Sequence, residues 1–154
     1  HEELWQRVCS RAGISKKQLT LPIFSSLYVW HIQPIMRVVT LAKELEEKYH
    51  FVAVSNGDMG SRYAIEMLAT HCGLVFEDEF VSAEAGAKKP ELLEIVASHM
   101  HSKYSISSEQ CVFIDDKQRY VDSATGLGMV AIQHDSLVQP IEYLVGKLLA
   151  AGVW

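Results

Sequence analysis

Two adjacent carboxylates, Asp115 and Asp116, follow the apolar run Val112-Phe-Ile114 and precede a helical pattern. A short apolar run bounded in this way predicts a buried strand. In parallel α/β sheets, ligands bind just beyond the carboxyl ends of the strands. Neighbouring like charges repel, so the pair is comfortable mainly where a cation or a donor group faces it. Metal binding is one chemistry that fits. A helix N-cap accounts for the pair equally well, since aspartate caps helices and a second carboxylate favours the dipole.

Two further strand ends carry polar groups of the right kind. Phe51-Val-Ala-Val54 runs into Ser55-Asn-Gly57, where a hydroxyl and an amide could donate to phosphate oxygens. Taken alone, Ser, Asn and Gly are ordinary turn residues. Gly86-Ala-Lys-Lys-Pro90 places Lys89 just ahead of a helix start, where its ammonium and the helix N-terminus both favour an anion. A lysine dipeptide by itself is more often a solvated loop.

The elements that must hold these residues can be read from the spacing. Residues 2 to about 12 gather Leu4, Trp5, Val8, Cys9 and Ala12 on one helical face, with Gly13 as a stop. Ser15 is expected to cap a helix from Lys16 that Pro22 shortens. Residues 23–32 are rich in aromatic and β-branched types and take no clear assignment. Pro34 suits the first turn of a helix to about Tyr49, with Ile35, Val38, Val39, Ala42 and Leu45 inward. Beyond it, strand, loop and helix repeat: a helix from about Ser61 to Cys72 closing at Gly73, a strand at Phe80-Val81, a loop from Ser82, and a helix from Pro90 to about Met100. After the Val112–Ile114 strand come a helix from about Arg119 to Leu127, a strand at Met129–Ile132 and a helix from Val138 to Leu149. Strands alternating with helices of this length predict a parallel sheet covered on both faces.

Taken jointly and in this order, Ser-Asn, G-x-x-K-P and an acidic pair before a helix resemble the haloacid dehalogenase-like (HAD) hydrolase superfamily, in its small helical-cap, phosphatase-like branch. The resemblance spans roughly Pro34 to Ile132. It implies an α/β fold, a Rossmann-like three-layer sandwich around a parallel sheet, with residues 34–154 as the core and residues 1–33 as the remnant of a helical cap and linker. Ser55 matches the second-motif Ser/Thr that hydrogen-bonds the transferring group, with Asn56 and Gly57 as substrate-binding neighbours. Lys89 matches the third-motif lysine, which stabilises the nucleophile and the substrate charge. Asp116 matches the fourth-motif metal-binding carboxylate and Asp115 its acidic neighbour, so the implied cofactor is Mg²⁺. The spacing to Ala124 and Gly128 fits that region as well.

Two departures stand out. Tyr120 occupies a position where the family usually carries Asn. The first motif, an Asp-x-Asp pair supplying the covalent nucleophile and a general acid/base, is missing: Asp58, Asp78, Asp115, Asp116, Asp122 and Asp135 form no D-x-D after an apolar strand. In the family that strand is central, between those at Val52 and Val112, and its loss would leave two apolar edges unpaired. The chain also opens without Met. A preceding segment, or another companion or oligomer partner, is therefore expected to supply the strand, and this chain alone is expected to be inactive. The expected activity is Mg²⁺-dependent hydrolysis of a small phosphorylated metabolite through an aspartyl-phosphate. A metal-independent 2-haloacid dehalogenase is the alternative, since Ser55-Asn-Gly57 resembles that group too. A further alternative is a catalytically inactive HAD-like binding module.

Composition narrows the classes. With 14 Lys+Arg against 19 Asp+Glu and a net charge of −5, the chain lacks the clustered positive charge of a nucleic-acid footprint. No apolar run approaches membrane-spanning length. At 154 residues there is room for one core and not two. Cys9, Cys72 and Cys111 show no C-x-x-C spacing, and unpaired thiols suit a cytoplasmic setting. His99 and His101 fall on different helical faces, Gly126-Leu-Gly128 follows a helix rather than a strand, and Trp5 and Trp30 are expected to pack in the cap or core.

Overall fold

Four short extended runs pair in twos in the computed structural model, which describes residues 2–31 and 33–153, apart from the side chains at 25, 28–31 and 59. Strand β1 (Val52–Ser55) runs parallel to β2 (Asp78–Val81), with Val52 opposite Asp78 and Ser55 opposite Val81. Strand β3 (Val112–Asp115) runs parallel to β4 (Val130–Gln133), with Val112 opposite Val130 and Asp115 opposite Gln133. Among the described residues no pairing joins β1 to β3, so the sheet is in two halves.

Successive strand residues face opposite ways, and the helices sort accordingly. On one side, helices α3 (Met36–Leu45) and α8 (Ile141–Ala150) bring Leu41, Leu45, Leu144 and Leu148 onto Ile132, with Phe51 and Val112 against the cluster. On the other, α6 (Glu91–Tyr104) and α7 (Gln118–Gly126) bring Leu93 and Ala124 onto Phe113 and Met129, with Val54, Ala131 and Tyr120 alongside. Leu93 and Leu144 are fully buried, and burying a leucine stabilises by about 1.5–3 kcal/mol. Both clusters reach across the two half-sheets, since Phe51 and Val54 come from β1 or its approach. The result is the three-layer α/β arrangement that the strand–helix alternation predicts.

Helix α4 (Met59–Cys72) leaves β1 and closes at Gly73, whose φ of +63° is a left-handed conformation that glycine adopts without strain. Ahead of the sheet, α1 (Glu2–Ala12) and α2 (Leu21–His31) form a small pair, and the connection between them is tied to α1 by the Trp5 indole N–H donating to the Leu19 carbonyl at 2.7 Å. Trp5 is half-buried, whereas the Trp30 side chain lies outside the described residues. Helix α2 packs on α4.

Several local expectations differ from the structure. The helix expected from Val138 begins at Ile141, after Pro140, and the one expected to end near Met100 runs on to Tyr104. No helix starts at Lys16: Ser15 and Gln18 close a single turn, the Gln18 N–H donating to the Ser15 hydroxyl and Gln18 reaching back to the Ser15 N–H. Proline inside a helix would clash with the preceding turn, so the helix begins afresh at Leu21 with Pro22 in its first turn, where a missing N–H costs nothing. The helix expected to reach Tyr49 ends at Leu45, and residues 46–48 form a turn. The expected loop after Val81 contains a short helix, α5 (Ser82–Ala85), which ends at Gly86 with φ +66°.

The amino end of β2 is fixed by an ionic knot. Asp78 accepts hydrogen bonds from His99 Nε2 at 2.9 Å, Lys103 Nζ at 2.9 Å and the Tyr104 hydroxyl at 2.7 Å. Burial alone would raise its pKa, but the Lys103, Tyr104 and His99 hydrogen bonds outweigh burial and hold the carboxyl far below the ordinary range. A carboxyl depressed on folding stabilises fully above its unfolded value, near pH 4, and less as pH falls toward the folded value. Urea titrations at pH 6, 4 and 3 should therefore show stability falling steeply below about pH 4. Asp78→Asn should flatten that fall while lowering stability at pH 6.

Candidate active site at the strand ends

Where β1 ends, the chain turns so tightly that one residue has no room for a side chain. A Cβ on Gly57 would lie 2.2 Å from the Ser61 hydroxyl, which excludes any other residue without rearrangement. The Gly57 carbonyl accepts from the Ser82 hydroxyl at 3.0 Å, so the turn is also docked on the start of α5. Asp58 then caps α4, its Oδ1 accepting from the Ser61 N–H at 3.1 Å. This leaves Ser55 half-buried at the strand's carboxyl end, its hydroxyl without a hydrogen-bond partner among the described residues.

Lys89 comes to the same place from the other direction. Its ammonium donates to the Asp115 carboxylate at 2.5 Å and lies 3.4 Å from the Val54 carbonyl. The side chains of Lys89 and Asp115 are only 9% and 8% exposed. The contact joins the carboxyl ends of β1 and β3, strands that share no hydrogen-bonded pairing. Ser55, Lys89 and Asp115, singled out on three separate stretches of sequence, are thereby brought to one end of the fold.

The two aspartates are not equivalent. Asp115 Oδ1 accepts from the Lys117 N–H at 2.8 Å, which orients the carboxylate while its other oxygen faces Lys89. Asp116 is 47% exposed and pairs with Lys117 Nζ at 2.7 Å. The Lys117 hydrogen bond lowers its pKa, so the carboxylate is fully ionised near neutral pH. Such a surface pair is worth at most about 1 kcal/mol, so an incoming cation displaces it at little cost. Neither aspartate side chain caps α7, whose N-cap Lys117 makes no side-chain capping bond.

Asn56 braces the loops. Its Nδ2 donates to the Tyr120 hydroxyl at 2.9 Å, and its Oδ1 accepts from the Lys89 N–H at 2.7 Å. One amide thus links the turn after β1, the turn before α6 and the first turn of α7. Sequence spacing places Asn56 at a strand end but carries no sign of these partners. It also treats Tyr120 only as a departure, although the Tyr120 ring packs beside Lys89, with Nζ 4.9 Å from the ring centroid.

Mg²⁺ prefers oxygen ligands and often takes one or two carboxylates together with several waters. Asp116, exposed and ionised, fits one such position. Asp115 is committed to Lys89, and among the described residues no three His, Cys, Asp or Glu side chains converge on a point. The donor set suits one flank of a Mg²⁺ site and does not enclose it.

A HAD family enzyme from Bacteroides thetaiotaomicron superposes on this chain with a TM-score of 0.67 at 19% identity, over 94% of this chain and 71% of that one. An aspartate-to-alanine variant of that enzyme, in complex with magnesium and inorganic phosphate, matches with a TM-score of 0.67 at 20% identity over the same shares. An uncharacterized protein from Corynebacterium glutamicum matches at 0.55 and 23% identity, over 75% of this chain and 78% of that one. No protein-family model matches the sequence, and no curated protein does. At these identities the likeness speaks for the fold, which is that of HAD family enzymes.

Removing the Asn56 brace should be visible one loop away. Asn56→Ala leaves the Lys89 amide without its acceptor. Its hydrogen exchange, followed by NMR, should accelerate by about five- to tenfold for a bond worth about 1–1.4 kcal/mol. Unchanged exchange at Lys89 would show that the brace does not hold that loop.

Proposed function

We propose that these residues form the larger part of the active site of a HAD-type hydrolase, a Mg²⁺-dependent phosphatase acting on a small phosphorylated metabolite. The observation that carries this reading is the placement of Ser55, the buried Lys89 and its partner Asp115 at the carboxyl ends of β1 and β3, with the exposed Asp116 next in sequence. In this reading a carboxylate nucleophile attacks phosphorus, the ester oxygen leaves with a proton, and water hydrolyses the resulting acyl phosphate. Ser55 hydrogen-bonds the transferring group, and Lys89 stabilises the negative charge spread over its oxygens. Asn56 and Gly57 shape the turn against which the phosphate rests. Asp116 would hold Mg²⁺, with Asp115 as its acidic neighbour, and the bound ion would supply charge that neutralises the phosphoryl oxygens. The magnesium and phosphate bound by the Bacteroides enzyme support this choice.

The nucleophile would come from a further strand between β1 and β3, ending in an Asp-x-Asp pair beside Lys89. Support comes from the topology: β1 and β3 each pair on one edge, and Ile114, in the middle of β3, is 43% exposed although strands of parallel sheets are normally buried on both faces. A preceding segment of the same protein, or a companion chain, would supply that strand, and residues 1–154 alone would lack turnover. Helices α1 and α2 belong to the cap in this reading, with residues 34–154 as the core. Cys9, Cys72 and Cys111 are free thiols, which suits a reducing cytoplasm. No described helix is long and apolar enough to cross a membrane.

A phosphatase screen of the full-length protein tests the reading. Activity should require Mg²⁺ and vanish with EDTA, and Asp116→Asn should weaken Mg²⁺ affinity and lower turnover together, by at least about tenfold. Dehalogenation that persists in EDTA would favour the metal-independent alternative. A folded full-length protein that binds neither Mg²⁺ nor inorganic phosphate would overturn the enzymatic reading.

A further inference from the structure

Tyr120 lies beside the ammonium of the lysine that the proposed chemistry uses and reaches that lysine's backbone through Asn56. It is the third residue of α7, half-buried beside Leu93 and Phe113. The Lys89 ammonium lies 4.9 Å from the centroid of its ring, within the range of a cation–π contact, and 5.7 Å from that of Phe113. The Tyr120 hydroxyl accepts from Asn56 Nδ2 at 2.9 Å, and the other end of the Asn56 amide accepts the Lys89 N–H at 2.7 Å. Arg119 completes the arrangement, with Cζ 4.6 Å from the ring centroid and Nη2 donating to the same hydroxyl at 2.9 Å.

We propose that Tyr120 is the positioning residue for Lys89, its ring fixing the ammonium and its hydroxyl, through Asn56, fixing the lysine backbone. Lysine is a compact charge on a flexible four-carbon stem, so it marks a point in space only when something holds both ends. Asp115 supplies the charge that draws the ammonium in, but a single carboxylate contact permits many stem conformations. A flat ring beside the ammonium removes most of them. The Asn56 amide fixes where the stem begins, and sites that stabilise developing charge tolerate only small errors in such placement. Asparagine in place of Tyr120 could bond Asn56 but would offer no face to the ammonium. The catalytic consequence rests on Lys89 stabilising phosphoryl charge; the placement of the lysine does not.

Two variants separate the ring from the hydroxyl. In Tyr120→Phe the ring remains, so the upfield ring-current shift of the Lys89 ε-methylene protons should persist, while the Lys89 amide exchanges faster. In Tyr120→Leu the ε-methylene signals should move downfield, leaving the smaller contribution of Phe113. With full-length protein, the Leu variant should lose kcat by tenfold or more with little change in KM, since the lysine acts on charge that develops in the transition state. Lys89 signals in the Leu variant that coincide with wild type would overturn the proposal. If that variant does not fold, Tyr120→Phe decides: unchanged amide exchange at Lys89 overturns the proposal, and accelerated exchange supports it. Should the Lys89 signals move as expected in a protein without phosphatase activity, the positioning role stands and the proposed reaction falls.

Discussion

A lysine ammonium and an aspartate carboxylate, both nearly out of water, meet at the ends of two strands that share no hydrogen-bonded pairing. Desolvating two such charges is expensive, and their attraction offsets the cost only when the geometry is good and the spare hydrogen-bonding positions are filled. Here they are filled. Asp115 uses its second oxygen on the Lys117 amide, and Lys89 adds the Val54 carbonyl and the faces of two aromatic rings. The remaining polar residues of the site are arranged around this pair.

The pair gives the two half-sheets a directional contact at their carboxyl ends. Apolar contacts bridge them on both faces, through Phe51 on one side and Val54 on the other, but such contacts are non-directional. The Lys89–Asp115 bond and the Asn56 amide are directional, and both lie at the carboxyl ends. At the opposite end, Asp78 gathers Lys103, Tyr104 and His99 around β2 alone. One ionic centre therefore locks an element and the other aligns two, which suits a site assembled from several strand ends.

Much of this was legible in the sequence, for identifiable reasons. The apolar runs before Ser55 and Asp115 are short and bounded, so period and length together specify strands. Gly73 and Gly13 mark helix ends because a left-handed residue is needed there. The failures have physical causes as well. Pro22 is compatible with a helix start as well as a helix stop, and spacing alone does not decide between them. Leu41 falls outside the inward stripe that the spacing predicts because the inward face of α3 is wider than a single stripe. In the candidate site, strand-end position singled out Ser55, Lys89 and Asp115, which the fold brings to one end. The roles of Asn56 and Tyr120 depend on contacts between residues 64 positions apart, which no local pattern encodes.

If the buried pair organises the site, its two members must act as a unit. A double-mutant cycle on Lys89→Met, Asp115→Asn and the double variant, read by urea denaturation with two-dimensional NMR to confirm the fold, tests this directly. Each single change should cost about 3–5 kcal/mol, because it strands a buried charge. The double variant should cost far less than the sum, giving a coupling of at least about 2 kcal/mol. Single costs that add to within about 0.5 kcal/mol would mean that the two groups are independent. The site would then not be organised by a lysine–aspartate pair spanning β1 and β3.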